Sequence, residues 1–218
     1  MDEYTEPQLD ASALITIDVQ RDLLDGAPLE IPGTSAALPA MARLVEAFRA
    51  GGRPIVQVVR LYRDDGSNVD LCRRASVMDG ARILTPGSDG AELAPALLPP
   101  AGAALETEEL LAGELQPLGP NEWALYKPRW GAFYDTRLEE HLRGLGVTTT
   151  VFCGCNFPNC PRTSMYEASE RDFRVALATD AISGLYDRGR AELEGIGVAL
   201  MRADELAAAV GSPAASRA

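Results

Sequence analysis

Short apolar runs alternate with longer stretches of helical periodicity along this chain. The runs predict six strands, at residues 13–19, 54–59, 123–127, 148–153, 173–179 and 198–201. Fully apolar runs are typical of parallel strands that are covered on both faces. Because predicted helices separate the strands, the sequence indicates an α/β fold with three α-β-α layers. We expect a Rossmann-like, mostly parallel six-stranded sheet with helices on both faces.

The length suits a single domain, since 218 residues with 46% hydrophobic side chains can bury one substantial core. We expect a flexible lead over residues 1–10, one domain over residues 11–210 and a flexible tail over residues 211–218. Residues 99–121 show the least regular pattern of the chain. We interpret that segment as an insertion or a lid.

The net charge of −12 argues against nucleic-acid or anionic-membrane partners, because both require basic patches. No apolar run approaches the roughly 18 residues of a membrane-spanning helix. The acidic start of the chain (MDEYTEPQLD) is unlike a signal peptide. We therefore expect a cytoplasmic protein with reduced thiols. Three cysteines in the pattern C-x-C-x4-C and the single histidine, His141, fit zinc-site spacings poorly, so we predict no metal site.

Cys160 stands where a predicted strand turns into a helix. The strand ends at Gly154, a five-residue link follows, and Pro161 suits the first turn of the helix. Free backbone N–H groups and the positive end of the helix dipole would surround the sulfur. We therefore expect a lowered thiol pKa and a reactive thiolate. The alternative is that Cys160 is a buried, inert cysteine.

Asp18 and Lys127 also fall at the carboxyl ends of predicted strands, where ligands bind in open α/β sheets. A thiolate at Cys160 could act as a nucleophile. Lys127 could stabilise that thiolate, and Asp18 could accept the thiol proton and pass it to a leaving amine. Taken singly, Asp18 could instead cap a turn, and Lys127 could be a solvated strand end.

Four segments, in this order, resemble the isochorismatase-like cysteine hydrolases, which include nicotinamidases and N-carbamoylsarcosine amidases. They are residues 17–23 (IDVQRDL), 86–93 (PGSDGAEL), 127–133 (KPRWGAF) and 154–160 (GCNFPNC). The resemblance covers about residues 14–201. It implies that Asp18, Lys127 and Cys160 form a catalytic triad. It also implies a cis peptide bond between Cys155 and Asn156, and an oxyanion hole made by the backbone N–H groups of Asn156 and Cys160.

The family's nicotinamidases hold a metal through a histidine pair after the second strand. Here that region reads RLYRDD at residues 60–65, without a histidine, so no metal or other cofactor is expected. The link at residues 156–159 (NFPN) is bulkier than the family pattern, so the resemblance leaves the substrate open. The predicted substrate-binding residues are Gln20, Leu23, Arg60, Trp130, Phe133 and Phe157.

The predicted function is hydrolysis of a C–N amide bond in a small molecule through a thioester on Cys160. A lactam such as streptothricin is one candidate substrate. One alternative is vinyl-ether hydrolysis of an isochorismate-like substrate, and another is a non-catalytic thiol or binding protein on the same fold. We expect a homo-oligomer, a dimer or larger, because Trp123 and Trp130 flank the strand and loop that form the site.

Overall fold

A mostly parallel sheet forms the centre of the computed structural model, which describes residues 2–99 and 102–211. Within these residues the sheet has seven strands in the order β3-β4-β2-β1-β5-β6-β7, and only the β3–β4 pair is antiparallel. The strands are β1 Ser12–Ile17, β2 Ile55–Val59, β3 Gln116–Gly119, β4 Glu122–Tyr126, β5 Thr149–Gly154, β6 Arg174–Ile182 and β7 Ala199–Met201.

Helices cover both faces of the sheet. They are α1 Thr34–Ala50, α2 Leu71–Met78, α3 Thr107–Leu111, α4 Leu138–Gly144, α5 Cys160–Ser169, α6 Asp187–Glu194 and α7 Ala203–Gly211. Alternate residues of a strand point to opposite faces. Leu14 of β1 accordingly packs in the cluster that contains α1 and α7, and Ile15 packs in the cluster that contains α4, α5 and α6. The predicted α/β fold class is confirmed, with seven strands instead of six.

The additional strand, β3, lies within the segment that we interpreted as an insertion or a lid. Leu105, Leu110 and Leu118 of this segment are buried against the sheet beside Tyr126. β3 is the antiparallel edge of the sheet, and the interpretation of the segment as an insertion or a lid stays a prediction. The strand escaped prediction because it contains Pro117 and Gly119, and proline and glycine are rare in strands. Proline is nevertheless tolerated at a sheet edge.

Gln8, within the segment that the sequence predicts to be a flexible lead, is hydrogen-bonded to β5 and to the residue before it. The backbone N–H of Gln8 donates to Thr149 Oγ1 at 2.9 Å, and Thr148 Oγ1 donates to Gln8 Oε1 at 2.9 Å. Gly211 closes α7, and the rest of the predicted tail, residues 212–218, lies outside the described residues. No described helix combines the length and the apolar character needed to cross a membrane.

Gly154 allows the ends of β1 and β5 to approach closely. Its φ angle is +124°, a backbone conformation that residues other than glycine rarely adopt. A Cβ atom at this position would lie 2.3 Å from the carbonyl oxygen and 2.6 Å from the nitrogen of Ile17. The absence of a side chain therefore brings the loop after β5 against the end of β1.

We expect Gly154→Ala to destabilise the protein by roughly 3 kcal/mol, because overpacking and a forbidden backbone conformation act together. Urea unfolding measures this loss. The matched control is Gly26→Ala, where φ is +78° but no atom lies within 4 Å of the added Cβ. That control should lose only about 1 kcal/mol. Equal losses in the two variants would contradict the close-approach explanation.

Candidate active site

Four neighbouring strands present the central residues of the site at one edge of the sheet. In the order β4, β2, β1 and β5, their carboxyl ends lead to Lys127, Arg60, Asp18 and the loop to Cys160. The backbone of each end is held by its neighbour: Lys127 N–H donates to Val59 O, and Asp18 N–H donates to Val58 O. Because these strands are parallel, their carboxyl ends lie at the same edge of the sheet and bring the four side chains close together.

Asp18 and Lys127 form a buried ion pair. Lys127 Nζ lies 2.9 Å from Asp18 Oδ2 and also donates to Arg129 O at 3.3 Å. The other carboxylate oxygen, Asp18 Oδ1, is buried and has no hydrogen-bond partner among the described residues. One oxygen of Asp18 is therefore held by the lysine, and the other is free to take a proton.

The loop between β5 and α5 is fixed to the end of β1. Cys155 N–H donates to Ile17 O at 2.9 Å, and Cys155 Sγ donates to Asp18 O at 3.3 Å. The peptide bond between Cys155 and Asn156 is cis, as the family resemblance implies. Phe157 N–H donates to Ser183 O on the other side of the loop. The loop that leads to Cys160 thus has fixed partners on both sides.

Cys160 is the first residue of α5 and is buried, with 5% of its surface exposed. The preceding residue, Asn159, makes no side-chain cap. Within the described residues, the backbone N–H groups of Asn156 and Cys160 donate no hydrogen bond. The positive end of the α5 dipole adds to the positive electrostatic potential at these N–H groups. The sulfur therefore lies at a helix end that offers free N–H groups to an anion.

The pKa of Cys160 is raised, which corrects the sequence-based expectation of a lowered value. Burial is the largest cause and the negative charge of Asp18 is the next, while the charges of Lys127 and Arg60 act in the opposite direction. Burial disfavours a charged thiolate because a low-dielectric environment solvates it poorly. The resting form is accordingly a thiol, which must give up its proton when the sulfur attacks.

Arg60 also reaches the sulfur. Its guanidinium is 1% exposed, with Nη1 at 2.6 Å from Asp70 Oδ2 and Nη2 at 2.7 Å from Arg129 O. Nη2 lies 3.8 Å from Cys160 Sγ. Burial lowers the pKa of Arg60, but the negative charge of Asp18 and the other acidic groups around it outweigh burial and raise it. Arg60 is therefore a permanent cation inside the site.

Two of the predicted substrate-binding residues, Gln20 and Leu23, make contacts within the fold. Gln20 Nε2 donates to the carbonyl oxygens of Arg60 and Ala91, and Gln20 Oε1 accepts from Arg60 N–H. These bonds use both ends of the buried amide and hold the end of β2 in place. Leu23 is buried in an apolar cluster with Tyr62 and Cys155. Both side chains are buried, and their role in substrate binding stays a prediction.

The aromatic residues predicted at the site divide between the core and the surface. Phe133 packs on Phe173 with ring centroids 5.7 Å apart, and Phe157 packs edge-to-face on Tyr186 at 5.3 Å. Both phenylalanines are buried and pack in the core, and their role in substrate binding stays a prediction. Trp130 remains partly exposed and lines a surface cavity.

The cavity lined by Trp130 has a volume of about 650 Å³. Its walls come from α2, the loop after β4 and the outer face of α5, and they include Asp70 and Tyr134. Asp70 connects the cavity to the site through its ion pair with Arg60. The sequence did not single out Asp70, because a spacing of ten residues from Arg60 along a charged loop matches no motif. The charged loop was the only available signal.

The residues at the end of β2 do not suit the metal site of the family's nicotinamidases. Across residues 2–99 and 102–211, no group of three or more histidine, cysteine, aspartate or glutamate side chains could hold a metal ion. The buried guanidinium of Arg60 cannot ligate a metal and would repel one. Asp70, the carboxylate nearest to it, already accepts hydrogen bonds from Arg60 and Tyr62.

The fold and the site define an α/β protein with an acid, a lysine and a cysteine at the carboxyl edge of a parallel sheet. Residues 12–195 match the family model described as the isochorismatase domain. The chain therefore belongs to the isochorismatase family, which confirms the resemblance inferred from its sequence motifs.

Similar proteins agree with this assignment. A protein of Arabidopsis thaliana named "Probable inactive nicotinamidase" is 30% identical over 173 residues, which cover 78% of this chain and 79% of the relative. A ureidoacrylate amidohydrolase of Methylobacterium radiotolerans is 27% identical over 187 residues, covering 77% of this chain and 65% of the relative. The crystal structure of an isochorismatase family protein from Desulfovibrio vulgaris superposes with a TM-score of 0.78 at 28% identity, covering 93% of this chain and 100% of that one.

Proposed function

We propose that this protein is a cofactor-free cysteine hydrolase that cleaves a C–N amide bond of a small molecule through a thioester. The observation that carries the proposal is the position of the Asp18–Lys127 pair beside the buried thiol of Cys160, with Asp18 Oδ1 free. An acid held by a lysine next to a protonated thiol suits general-base activation of a nucleophile. The amidohydrolase among the relatives supports the choice of an amide substrate.

In the first half of the reaction, Asp18 takes the proton of the Cys160 thiol. The sulfur then forms a bond to the amide carbon, and the carbonyl π electrons move to the oxygen. The free N–H groups of Asn156 and Cys160 are the donors for that oxyanion. When the tetrahedral intermediate collapses, the C–N bond breaks and Asp18 returns its proton to the leaving amine. The acyl group remains on the sulfur as a thioester.

In the second half, water hydrolyses the thioester. Asp18 accepts a proton from the water, and the water oxygen forms a bond to the acyl carbon. Collapse of this second intermediate breaks the C–S bond, releases the carboxylic acid and leaves a thiolate. That thiolate recovers its proton from Asp18, which restores the resting site. Lys127 keeps Asp18 oriented throughout, because its ammonium group contacts the carboxylate at 2.9 Å.

The test is release of ammonia or amine by purified protein from a panel of small amides, including open-chain amides, ureido acids and lactams. Iodoacetamide is then applied to a Cys72→Ser background, because Cys72 is an exposed thiol that would also react. Cys153 should stay unlabelled, since burial raises its pKa to about 12. We expect turnover to disappear in step with labelling of Cys160.

Two results would contradict the proposal. One is turnover that persists after Cys160 is fully alkylated, which is the behaviour of a vinyl-ether hydrolase that needs no nucleophilic thiol. The other is release of neither ammonia nor amine from any class in the panel, together with tight binding of a compound, which is the behaviour of a binding protein. Mass spectrometry of the labelled chain identifies the modified cysteine in either case.

A further inference from the structure

We infer that Arg60 is a catalytic residue whose guanidinium holds the negative charge on Cys160 Sγ during attack, while Asp70 fixes that guanidinium in place. The inference rests on the proposed function, in which Cys160 is the nucleophile. It gives Arg60 a role different from the substrate-binding role that the sequence predicts. The argument depends on which atoms each cation contacts.

The two cations of the site have different partners. Lys127 Nζ donates to Asp18 Oδ2 and to Arg129 O, and no hydrogen bond joins it to Cys160 in the described part of the chain. Arg60 Nη2 contacts the sulfur directly at 3.8 Å, within the range of a hydrogen bond to sulfur. Lys127 is therefore hydrogen-bonded to the acid, and Arg60 is the cation that contacts the nucleophile directly, although the charges of both favour a thiolate.

Proton transfer during attack moves the negative charge from Asp18 to the sulfur, so it matters which cation contacts each group. Before attack, the negative charge is on Asp18 and the sulfur is neutral. After the proton moves to Asp18, the negative charge is on the sulfur, and Lys127 faces a neutral acid. Arg60 is then the cation in contact with the new anion, and it cannot lose its own charge.

A buried network holds the guanidinium in its place. Asp70 Oδ2 accepts from Arg60 Nη1 at 2.6 Å and from the Tyr62 hydroxyl at 3.0 Å, and Arg73 donates to that hydroxyl at 2.9 Å. With Nη1 on Asp70 and Nη2 on Arg129 O, the planar group has little freedom to turn away from the sulfur. This network provides the preorganisation that electrostatic catalysis requires.

The titratable and charged groups that interact electrostatically with the Cys160 thiol come from five elements. They are Asp18 after β1, Arg60 after β2, Lys127 after β4, Cys155 after β5 and Arg73 on α2. Arg60, Lys127 and Arg73 are cations, and Asp18 is an anion. Burial raises the pKa of the Cys155 thiol, which keeps that thiol neutral. A measured change in thiol acidity can therefore be assigned only if the net charge around the sulfur is controlled.

The double variant Arg60→Met/Asp70→Asn provides that control, because it removes one positive and one negative charge together. It also leaves no unpaired buried charge, which would be strongly destabilising. In the Cys72→Ser background, the rate of Cys160 alkylation by iodoacetamide is followed against pH by mass spectrometry. We expect the midpoint to rise by about one pH unit or more, and the rate at pH 8 to fall about tenfold.

Two further variants make the result decisive. Arg60→Gln/Asp70→Asn also removes both charges and keeps a hydrogen-bond donor at residue 60. It should show the same upward shift, which covers the case in which the first double variant does not fold. Arg49→Met/Glu122→Gln removes the Arg49–Glu122 ion pair, which is largely buried and does not contact Cys160. This matched control can lose stability, but its alkylation midpoint should stay at the wild-type value.

An unchanged iodoacetamide midpoint in folded Arg60 variants would overturn the inference. So would a loss confined to the anionic reagent iodoacetate, because that result would make Arg60 a binding group for substrate carboxylates. Alkylation needs no substrate, so this test is independent of the amide panel. If Cys160 proved dispensable for turnover, the proposed function would fail even where the alkylation midpoint shifts.

Discussion

Replacing Cys160 with alanine is expected to abolish amide turnover, with a loss on the order of 10⁴-fold or more. Without the sulfur no thioester can form, and the remaining groups can only polarise the amide and position water. The side chain is small and buried, so the fold should persist. Steady-state release of amine or ammonia measures the loss, and urea unfolding of the same variant verifies that the protein is folded.

The matched control is Cys153→Ala, which makes the same truncation at another buried cysteine. Cys153 lies in β5 within the core cluster that contains Leu14 and Val151. Its replacement should lower stability by roughly 1 kcal/mol, as loss of a buried apolar group does, and should leave turnover near the wild-type value. Wild-type turnover in Cys160→Ala, or equal losses in both variants, would show that the nucleophile has been assigned wrongly.

Asp18→Asn should change turnover and thiol reactivity in opposite directions. The side-chain amide of asparagine cannot accept and return a proton as the carboxylate does, so kcat/KM should fall by about 10²–10⁴-fold. The negative charge of Asp18 raises the pKa of Cys160, so its removal should lower that pKa and increase the thiolate fraction. Alkylation of Cys160 by iodoacetamide at pH 8 should therefore become faster while amide hydrolysis becomes slower. Both rates are measured on the same preparation in the Cys72→Ser background.

The control for this prediction is Asp22→Asn. Asp22 is also a buried carboxylate, but it accepts a hydrogen bond from the backbone N–H of Leu84, away from the sulfur. Its replacement should affect stability and leave the alkylation rate of Cys160 unchanged. If turnover and alkylation both fell in Asp18→Asn, Asp18 would be acting as a structural support for the thiol and not as its base.

Local sequence signals were sufficient to place three members of the site. An apolar run that ends in a polar residue marks the end of a buried strand, and this pattern locates Asp18 and Lys127. The turn before Pro161 similarly locates Cys160. Because parallel strands end at the same edge, their proximity follows without a structure.

The order of the strands could not be predicted in the same way. The sequence does not show that β2 lies between β1 and β4, and it is this order that places Arg60 beside Asp18 and Lys127. The sign of the Cys160 pKa shift also escaped, because the helix end and the lysine are visible in the sequence whereas burial depends on the whole fold. The burial of Phe133 and Phe157 escaped prediction for the same reason, since rings distant in the sequence pack against them.

The hydrogen bonds of Cys155 to Ile17 and Asp18 join the acid and the nucleophile loop into one mechanical unit. Neither part can shift without the other, so adaptation to substrates of different shape must occur elsewhere. Side chains of the cavity walls, such as Leu71 and Trp130, make neither of these hydrogen bonds. Substitutions in those walls could redirect the same chemistry to new amides during evolution, while the reacting groups remain unchanged.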